Sequence, residues 1–219
     1  MAIVFDEFSF SAADTVDLSW THITSAVVRA VVVFVITNGS ADTGVADVTY
    51  GGVSLPGVAL QVHDAGEQGT VQAYFLGTGL PPGSQTVLVT VTTADVKVAG
   101  AMSVVAGREV VVQVADQSIN DTFLANPTVL MGLGGKECFV AEAFHSGRDA
   151  ASQVTPLSGW LTMLENDFGS QTAGIYRYST VGDDDLYCGW TQAADDATMI
   201  ALAVREVDYD TSSGEVIPI

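Results

Sequence analysis

The sequence predicts an all-β protein whose strands form a two-sheet antiparallel β-sandwich. The first observation is a dense succession of strand-like and turn-like segments between Val45 and Thr92. The second is the period-two alternation within these segments, which places one face of a sheet in a core. The third is that no window carries the apolar stripe of an amphipathic helix. Two packed antiparallel sheets are the economical way to bury such strands.

A two-residue hairpin is the clearest local prediction. Val45 to Tyr50 reads as a strand that leads into Gly51 and Gly52, and two glycines tolerate the positive φ angles of a tight turn. Val53 to Val62 then returns as the next strand. The pattern continues with an aromatic strand, a Gly/Pro-rich loop and an alternating strand: Thr70 to Leu76, Gly77 to Gly83 and Thr86 to Thr92.

The run from Val27 to Ile36 predicts a buried central strand, because both of its faces are apolar apart from Arg29. Ten residues are too few to span a bilayer. Gln117 to Pro127 is loop-like in composition. The further strand predictions, which bring the total to about thirteen, are Ala2 to Phe10, one or two strands in Asp95 to Ala115 with Val110, Val112 and Val114 on one face, Thr128 to Leu133, Cys138 to His145, Gly159 to Glu165, Ala173 to Ser179, Leu186 to Gln192 and Thr198 to Val207.

The order of these motifs resembles a known group of proteins. The segments SWTHITSAVVRAVVVFVITNG, VTYGGVSL and VQAYFLGTGLPPGSQTVLVTVT are similar to jelly-roll-like β-sandwich proteins, which occur among tailed-phage virion structural proteins and as modules of bacterial surface proteins. The similarity continues through VAEAFHSGRDA, GWLTML, GIYRYSTVG and TMIALAVREVD, about nine-tenths of the chain. The resemblance implies a jelly-roll-like fold and a structural role.

Length and patterning predict one domain. A chain of 219 residues can bury a large core without a disulfide staple. We find no sequence repeat of fixed period and no low-complexity linker, and therefore expect a single sandwich over residues 1–207. Residues 208–219 form the expected C-terminal tail, which ends in the apolar residues Val216, Ile217, Pro218 and Ile219.

The charge balance argues against two classes of partner. The chain has 26 acidic and 7 basic residues and a formal net charge of -19, which repels nucleic-acid phosphates and anionic membranes. Only 15% of its residues are charged, 48% are hydrophobic, and the mean hydropathy is +0.35. A chain that is so poor in charge and so rich in apolar residues suggests that partner subunits cover part of its surface. A monomer with an Ala/Val/Gly-rich sandwich is the alternative.

The N-terminus and the cysteines predict a reducing compartment. Met1 to Asp6 lacks the basic start and apolar core of a signal peptide. Cys138 and Cys188 both lie in strand-like contexts, so we expect two buried free thiols. A mature secreted fragment would favour a disulfide instead.

Motifs that carry chemistry are incomplete. The glycines before Lys136 lack the spacing and the following Ser or Thr of a phosphate loop. Ser146 beside His145 points to the opposite face of its strand, so the pair does not form a catalytic dyad. The three histidines lack zinc-site spacing. Two acidic runs would hold calcium only if their loops met, and otherwise solvate loop tips: Asp183 to Asp185 and Asp195 to Asp196.

Aromatic residues leave a further alternative open. They form a sugar-stacking platform if several share an outward face, and core or edge packing if they do not. The residues are Trp20, Trp160, Trp190, Tyr74, Tyr176, Tyr178 and Tyr187.

These observations together predict a non-catalytic phage virion protein without a cofactor. We expect a head decoration or cement protein on the outer surface of the particle, made in the host cytoplasm, that contacts capsid or other virion subunits as a homo-oligomer. The apolar end, Val216 to Ile219, is the expected partner-binding segment, because a free apolar end gains by burial in a neighbour. The alternatives are a tail- or fibre-associated protein and a bacterial carbohydrate-binding or adhesin module.

Overall fold

The computed structural model describes residues 2–13, 17–25, 28–38, 45–63, 69–92, 97–148, 154–167, 171–178 and 184–208. These residues form seventeen β-strands and no helix, and every pairing between strands is antiparallel. The prediction of an all-β antiparallel sandwich is confirmed.

The strands follow one another with short connections. The first nine are β1 (Val4–Ala13), β2 (Leu18–His22), β3 (Val28–Asn38), β4 (Val45–Tyr50), β5 (Val53–Ser54), β6 (Gly57–His63), β7 (Gly69–Leu76), β8 (Gln85–Val91) and β9 (Lys97–Val105). The remaining eight are β10 (Val110–Leu124), β11 (Thr128–Gly132), β12 (Cys138–Ser146), β13 (Thr155–Pro156), β14 (Trp160–Asp167), β15 (Thr172–Tyr178), β16 (Asp185–Thr191) and β17 (Asp195–Glu206).

The described strands build four sheets. The N-terminal inner sheet has the order β1-β9-β3-β7-β6, and the N-terminal outer sheet has the order β2-β8-β4-β5. The C-terminal inner sheet has the order β10-β17-β12-β15-β14, and the C-terminal outer sheet has the order β11-β16-β13.

Three apolar layers hold the four sheets in a stack. The central layer lies between the two inner sheets and contains Phe34, Met102, Phe139 and Ile200. The C-terminal layer joins the C-terminal inner sheet to the C-terminal outer sheet. The N-terminal layer joins the N-terminal inner sheet to the N-terminal outer sheet. The central strands β3, β12 and β17 of the inner sheets are therefore covered on both faces, which explains why they read as nearly continuous apolar runs.

The central position of β3 is confirmed. It lies in the middle of the five-stranded N-terminal inner sheet. Val32 and Phe34 face the central layer, whereas Val31 and Val33 face the outer sheet, and all four are at most 1% exposed. Both faces of β3 thus contribute to a core.

The predicted hairpin is confirmed at its turn. Gly51 and Gly52 have φ angles of 57° and 81°, which side chains larger than glycine rarely adopt. The return strand is divided, because β5 ends before Pro56 and β6 begins after it. Pro56 has no N–H to donate, and the chain passes there from the N-terminal outer sheet to the N-terminal inner sheet.

Two local predictions were wrong. The loop-like segment from Gln117 belongs to β10 up to Leu124, because its backbone pairs with β17 and this pairing overrides local composition. Val110 and Val112 face the central layer, but Val114 packs into the C-terminal layer. A register shift between Val112 and Val114 reverses the alternation at that point.

Candidate functional site

The C-terminal outer sheet exposes an apolar pair on its outward face. Leu130 on β11 and Tyr187 on β16 are direct cross-strand partners, and they are 46% and 63% exposed. Their neighbours in sequence, Met131 and Cys188, point inward and are fully buried, so strand alternation fixes the outward direction of the pair. Trp160 Nε1–H donates to the Tyr187 carbonyl oxygen at 3.0 Å. We call Leu130 and Tyr187 the outer patch.

The opposite end of the stack has a different surface. On the outward face of the N-terminal outer sheet, Ser19 lies opposite Leu88 and Thr21 lies opposite Thr86. Ser19, Thr21 and Thr86 are exposed, whereas Leu88 is half-buried. The hydroxyl-rich end of the molecule thus carries these three side chains, with the exposed Ile23 directly after β2, whereas the other end presents a leucine and a tyrosine.

Basic side chains converge where the described chain ends. Asp208 Oδ2 accepts hydrogen bonds from Lys136 Nζ at 2.9 Å and from Arg205 Nη1 at 3.2 Å. The Lys136 hydrogen bond, together with the positive charges of Arg205 and Lys136, lowers the pKa of Asp208. A cleft of about 140 Å³ lies here, and it is also lined by Arg108. The predicted binding segment, Val216 to Ile219, lies outside the described residues and stays a prediction.

Glu142 is a fully buried carboxyl group in the C-terminal layer. It lies on the central strand β12, and its Oε2 atom accepts the Gly189 N–H at 2.7 Å. Its Oε1 atom has no hydrogen-bond partner among the described residues. Burial raises the pKa of Glu142 well above its ordinary value, and the Gly189 N–H opposes this shift only in part. Burial therefore favours the neutral form of this side chain over the ionised form.

A polar cluster lies between the two inner sheets. His63 at the end of β6 faces Asp196 at the start of β17, with 3.6 Å between Nε2 and Oδ2. His145 on β12 is fully buried, and its Nε2–H donates to Gln171 Oε1 at 3.0 Å. Burial lowers the pKa of His145 to about 4. The cluster joins strands from both halves of the chain at one edge of the central layer.

The third histidine lies elsewhere. His22 is buried in the N-terminal half, where its Nδ1 atom hydrogen-bonds Ser9 Oγ at 2.7 Å. Trp20 Nε1–H donates to the same Ser9 oxygen at 2.8 Å. Burial lowers the pKa of His22 to about 4, and Asp6 opposes this shift. Across the described part of the chain, no three His, Cys, Asp or Glu side chains are placed to hold a metal ion.

The acidic runs lie at separate places among the described residues. Asp184 and Asp185 are exposed beside β11, whereas Asp183 lies outside the described residues. Asp195 is paired with Arg148 at 3.0 Å, and Asp196 is buried against His63. The positive charge of Arg148 thus offsets the negative charge of Asp195.

The adjacent residues His145 and Ser146 point into two different layers, as the sequence predicted. Ser146 donates to Gln192 Oε1 at 2.6 Å on the outer-sheet side of β12, whereas His145 faces the central layer. Successive side chains of β12 point to opposite faces of the sheet, and this alternation separates the two side chains. Cys138 and Cys188 are buried free thiols, and burial raises the pKa of Cys138 to about 11.

The aromatic residues do not share one outward face in the described structure. Trp190 and Tyr176 are fully buried, Trp160 is 5% exposed and Tyr74 is 9% exposed. Phe144 stacks on Trp190 with ring centroids 4.2 Å apart. Core packing therefore accounts for most of the set, and Tyr187 is the member that is strongly exposed.

A second cleft, of about 320 Å³, lies beside the β7–β8 loop. It is lined by Arg29, Glu109, Val28, Leu80 and the Gly77–Gly79 backbone. Arg29 and Glu109 are both exposed, so the cleft is a shallow depression rather than an enclosed cavity.

Sequence reasoning missed Glu142 and the exposure of Tyr187. The signal for Glu142 was present, since it is the one acidic residue in the run from Cys138 to Phe144. The described residues contain no helix with the length and hydropathy needed to cross a membrane. The chain matches no protein-family model and no curated protein.

Proposed function

We propose that the protein is a structural component of a tailed-phage particle, in the first instance a head decoration or cement protein. The observation that carries the proposal is the outer patch: Leu130 and Tyr187 stand exposed at the end of a stack of sheets whose interior is fully packed. Exposed apolar groups in a charge-poor chain are typical of surfaces that contact other subunits. The resemblance to phage virion proteins supports the same role.

The proposed mechanism is mechanical rather than chemical. A protein that binds across neighbouring capsid subunits adds free energy only to the assembled lattice, so mass action favours the closed shell. The net charge of -19 favours the outer surface of the shell, because the inner surface faces nucleic acid. No cofactor takes part in this mechanism, and the partners are capsid or other virion subunits.

Purified particles provide the test. Mass spectrometry of particles from a lysate of the host that carries the gene should detect the chain at a stoichiometric level, and cryo-electron microscopy should place it on the head. Particles made without the gene should lose their DNA at a lower temperature. Density on the tail or on a fibre would favour the alternative virion position, and absence from the particles would refute the proposal.

Carbohydrate binding is the second candidate, and Tyr187 is the observation that favours it. A tyrosine that is 63% exposed on the face of a sheet can stack on a sugar ring. Glycan-array binding that is lost in Tyr187→Ala would support this role, and an array without a binding signal would leave the virion proposal as the better account.

A further inference from the structure

The two inner sheets repeat one strand order. Within β1–β9, the first strand forms one edge, the last strand lies beside it, and the third strand lies in the middle. Within β10–β17, the first, last and third strands of that half hold the same three positions. The outer sheets match as well, because β2-β8-β4 and β11-β16-β13 are the equivalent strands in the equivalent order.

The register of the paired strands agrees with this correspondence. Val33 on β3 lies between Tyr74 and Ala101. Its counterpart Glu142 on β12 lies between Tyr176 and Ala201. Four residues further along, Thr37 has Thr70 as its β7 partner, and Ser146 has Thr172 as its β15 partner. The two halves therefore agree residue by residue across their central strands.

The halves pack face to face across the central layer. The equivalent strands β3 and β12 face each other, and β7 faces β17. Across the same layer the Ile175 side chain of β15 reaches Gly100 of β9, where a Cβ atom would meet it. Edge strand β6 lies against β10, while Phe5 of edge strand β1 lies under Arg177 of β15 at 4.1 Å. Each unit thus turns the same sheet face toward the other, as two like units do, although the two sheets come closer together at β6 and β7 than at β1 and β9.

We infer that the chain is a covalently joined dimer of one sandwich unit, with β1–β9 as one unit and β10–β17 as the other. The five-stranded inner sheet of each unit is an interaction surface that fits a second unit of the same kind. The linker is Ala106 to Glu109, whose last three residues are exposed. Glu206 Oε1 accepts the Gly107 N–H and the Arg108 N–H, which fixes the linker against the last strand. This inference does not depend on the proposed function.

The chemistry of the central layer is that of a permanent interface. The residues that the units bury against each other include Val32, Phe34, Phe139 and Ile200, each at most 1% exposed. Obligate dimer interfaces are apolar in this way and resemble a domain core cut in half. The pair His63 and Asp196, one from each unit, adds a polar contact at the edge.

Cleavage of the linker tests the inference. A protease site is inserted between Gly107 and Arg108 of the full chain, and the folded protein is cut. We expect the two fragments to remain together as a 1:1 complex by native mass spectrometry, with a melting temperature that rises with protein concentration. We further expect the fragments to re-form the complex after separation in denaturant. If the insertion prevents folding, trypsin acting on the unmodified chain at the exposed Arg108 replaces it.

A matched cut inside one unit is the control. The same site is inserted after Gly79, an exposed residue in the β7–β8 loop, where a cut separates strands of one sandwich. We expect fragments of this variant not to re-form native protein after separation. The inference is overturned if both cuts permit equal recovery, or if the fragments cut at Gly107 fail to reassociate. A melting temperature that is independent of concentration after the Gly107 cut would also overturn it.

Discussion

Val33 and Glu142 occupy equivalent positions in the two halves of the chain, each flanked by a tyrosine and an alanine on the neighbouring strands. Val33 lies beside Tyr74 and Ala101, and Glu142 lies beside Tyr176 and Ala201. Both side chains are fully buried. The fold therefore accepts a plain hydrophobic residue at this position, and the carboxyl group is a feature of the C-terminal half alone.

The first prediction concerns Glu142→Gln. The amide keeps an acceptor for the Gly189 N–H but cannot ionise. Because burial raises the folded-state pKa of Glu142, the unfolded chain releases this proton at a lower pH than the folded chain. The stability that the neutral carboxyl provides is complete below the unfolded pKa and is lost as pH rises toward the folded pKa. Within that window the wild type should lose about 1.4 kcal/mol of unfolding free energy per pH unit relative to the variant.

Urea unfolding at several pH values between 4 and 9 measures this difference. Glu7→Gln, at an exposed position of β1, is the matched control, because it makes the same substitution without removing a buried carboxyl group. Parallel pH profiles for Glu142→Gln and the wild type would mean that Glu142 is ionised in the folded protein.

The reverse substitution, Val33→Glu, should destabilise the N-terminal half, because it buries a carboxyl group without the Gly189 partner.

The sequence was sufficient for features that depend on local chemistry. Gly51 and Gly52 identified the hairpin, and the two apolar faces of the run from Val27 to Ile36 identified the central strand. It was not sufficient where burial depends on distant strands. Tyr176 and Tyr187 both lie in alternating strands, yet one is fully buried and the other is 63% exposed, because alternation does not tell which face a second sheet covers.

The correspondence of the two halves was hidden for a related reason. Paired positions keep their polarity pattern only in part, as Val33 against Glu142 and Ile36 against His145 show. A search for repeated residues therefore finds no fixed period, whereas strand order and register reveal the repeat. Backbone pairing also formed β10 through Asn120 and Asp121, whose side-chain types favour loops.

The second prediction concerns His145 and acid. Its folded-state pKa is about 4, whereas an unfolded histidine titrates near 6.5, so the unfolded chain takes up the proton first as pH falls. Stability from the neutral imidazole should be complete above about pH 6.5 and should decrease toward pH 4. His145→Gln removes this titration. Over that pH range the unfolding free energy of the variant should therefore fall by on the order of 3 kcal/mol less than that of the wild type.

Chemical denaturation at pH 4.5, 5.5 and 7 provides the measurement. The groups that face His145 are His63 on β6, Asp196 on β17 and Gln171, so Asp196→Asn serves as a second variant that removes the facing charge. Burial also lowers the pKa of His22, but His22 is present in the wild type and in His145→Gln. The difference in pH dependence between these two proteins therefore reports on position 145. Identical pH slopes in the wild type and His145→Gln would contradict the prediction.

The third prediction concerns the tail. Asp208 is held by Lys136 and Arg205, so the chain leaves the described fold at a fixed point. Deletion of residues 215–219 removes Val216, Ile217, Pro218 and Ile219, and we expect weaker binding to purified particles with nearly unchanged melting temperature. Co-sedimentation with particles and a thermal melt make the comparison. Equal particle occupancy would refute docking of the tail on a neighbour, and a strongly destabilised protein would indicate that the tail packs on its own sandwich.

The fourth prediction concerns the outer patch, and it uses the difference between the two ends of the stack. The double substitution Leu130→Ser and Tyr187→Ser should reduce binding to particles by at least about tenfold, because the loss of two apolar anchors from an interface typically exceeds 1.4 kcal/mol. Both side chains lie on the surface, so the unfolding free energy should change by only about 0.5 kcal/mol. Leu88→Ser, on the outward face of the opposite outer sheet, is the matched control and should leave binding intact. If Leu88→Ser abolishes binding while the double variant binds normally, the docking face lies at the hydroxyl-rich end, and the outer patch is not the contact surface.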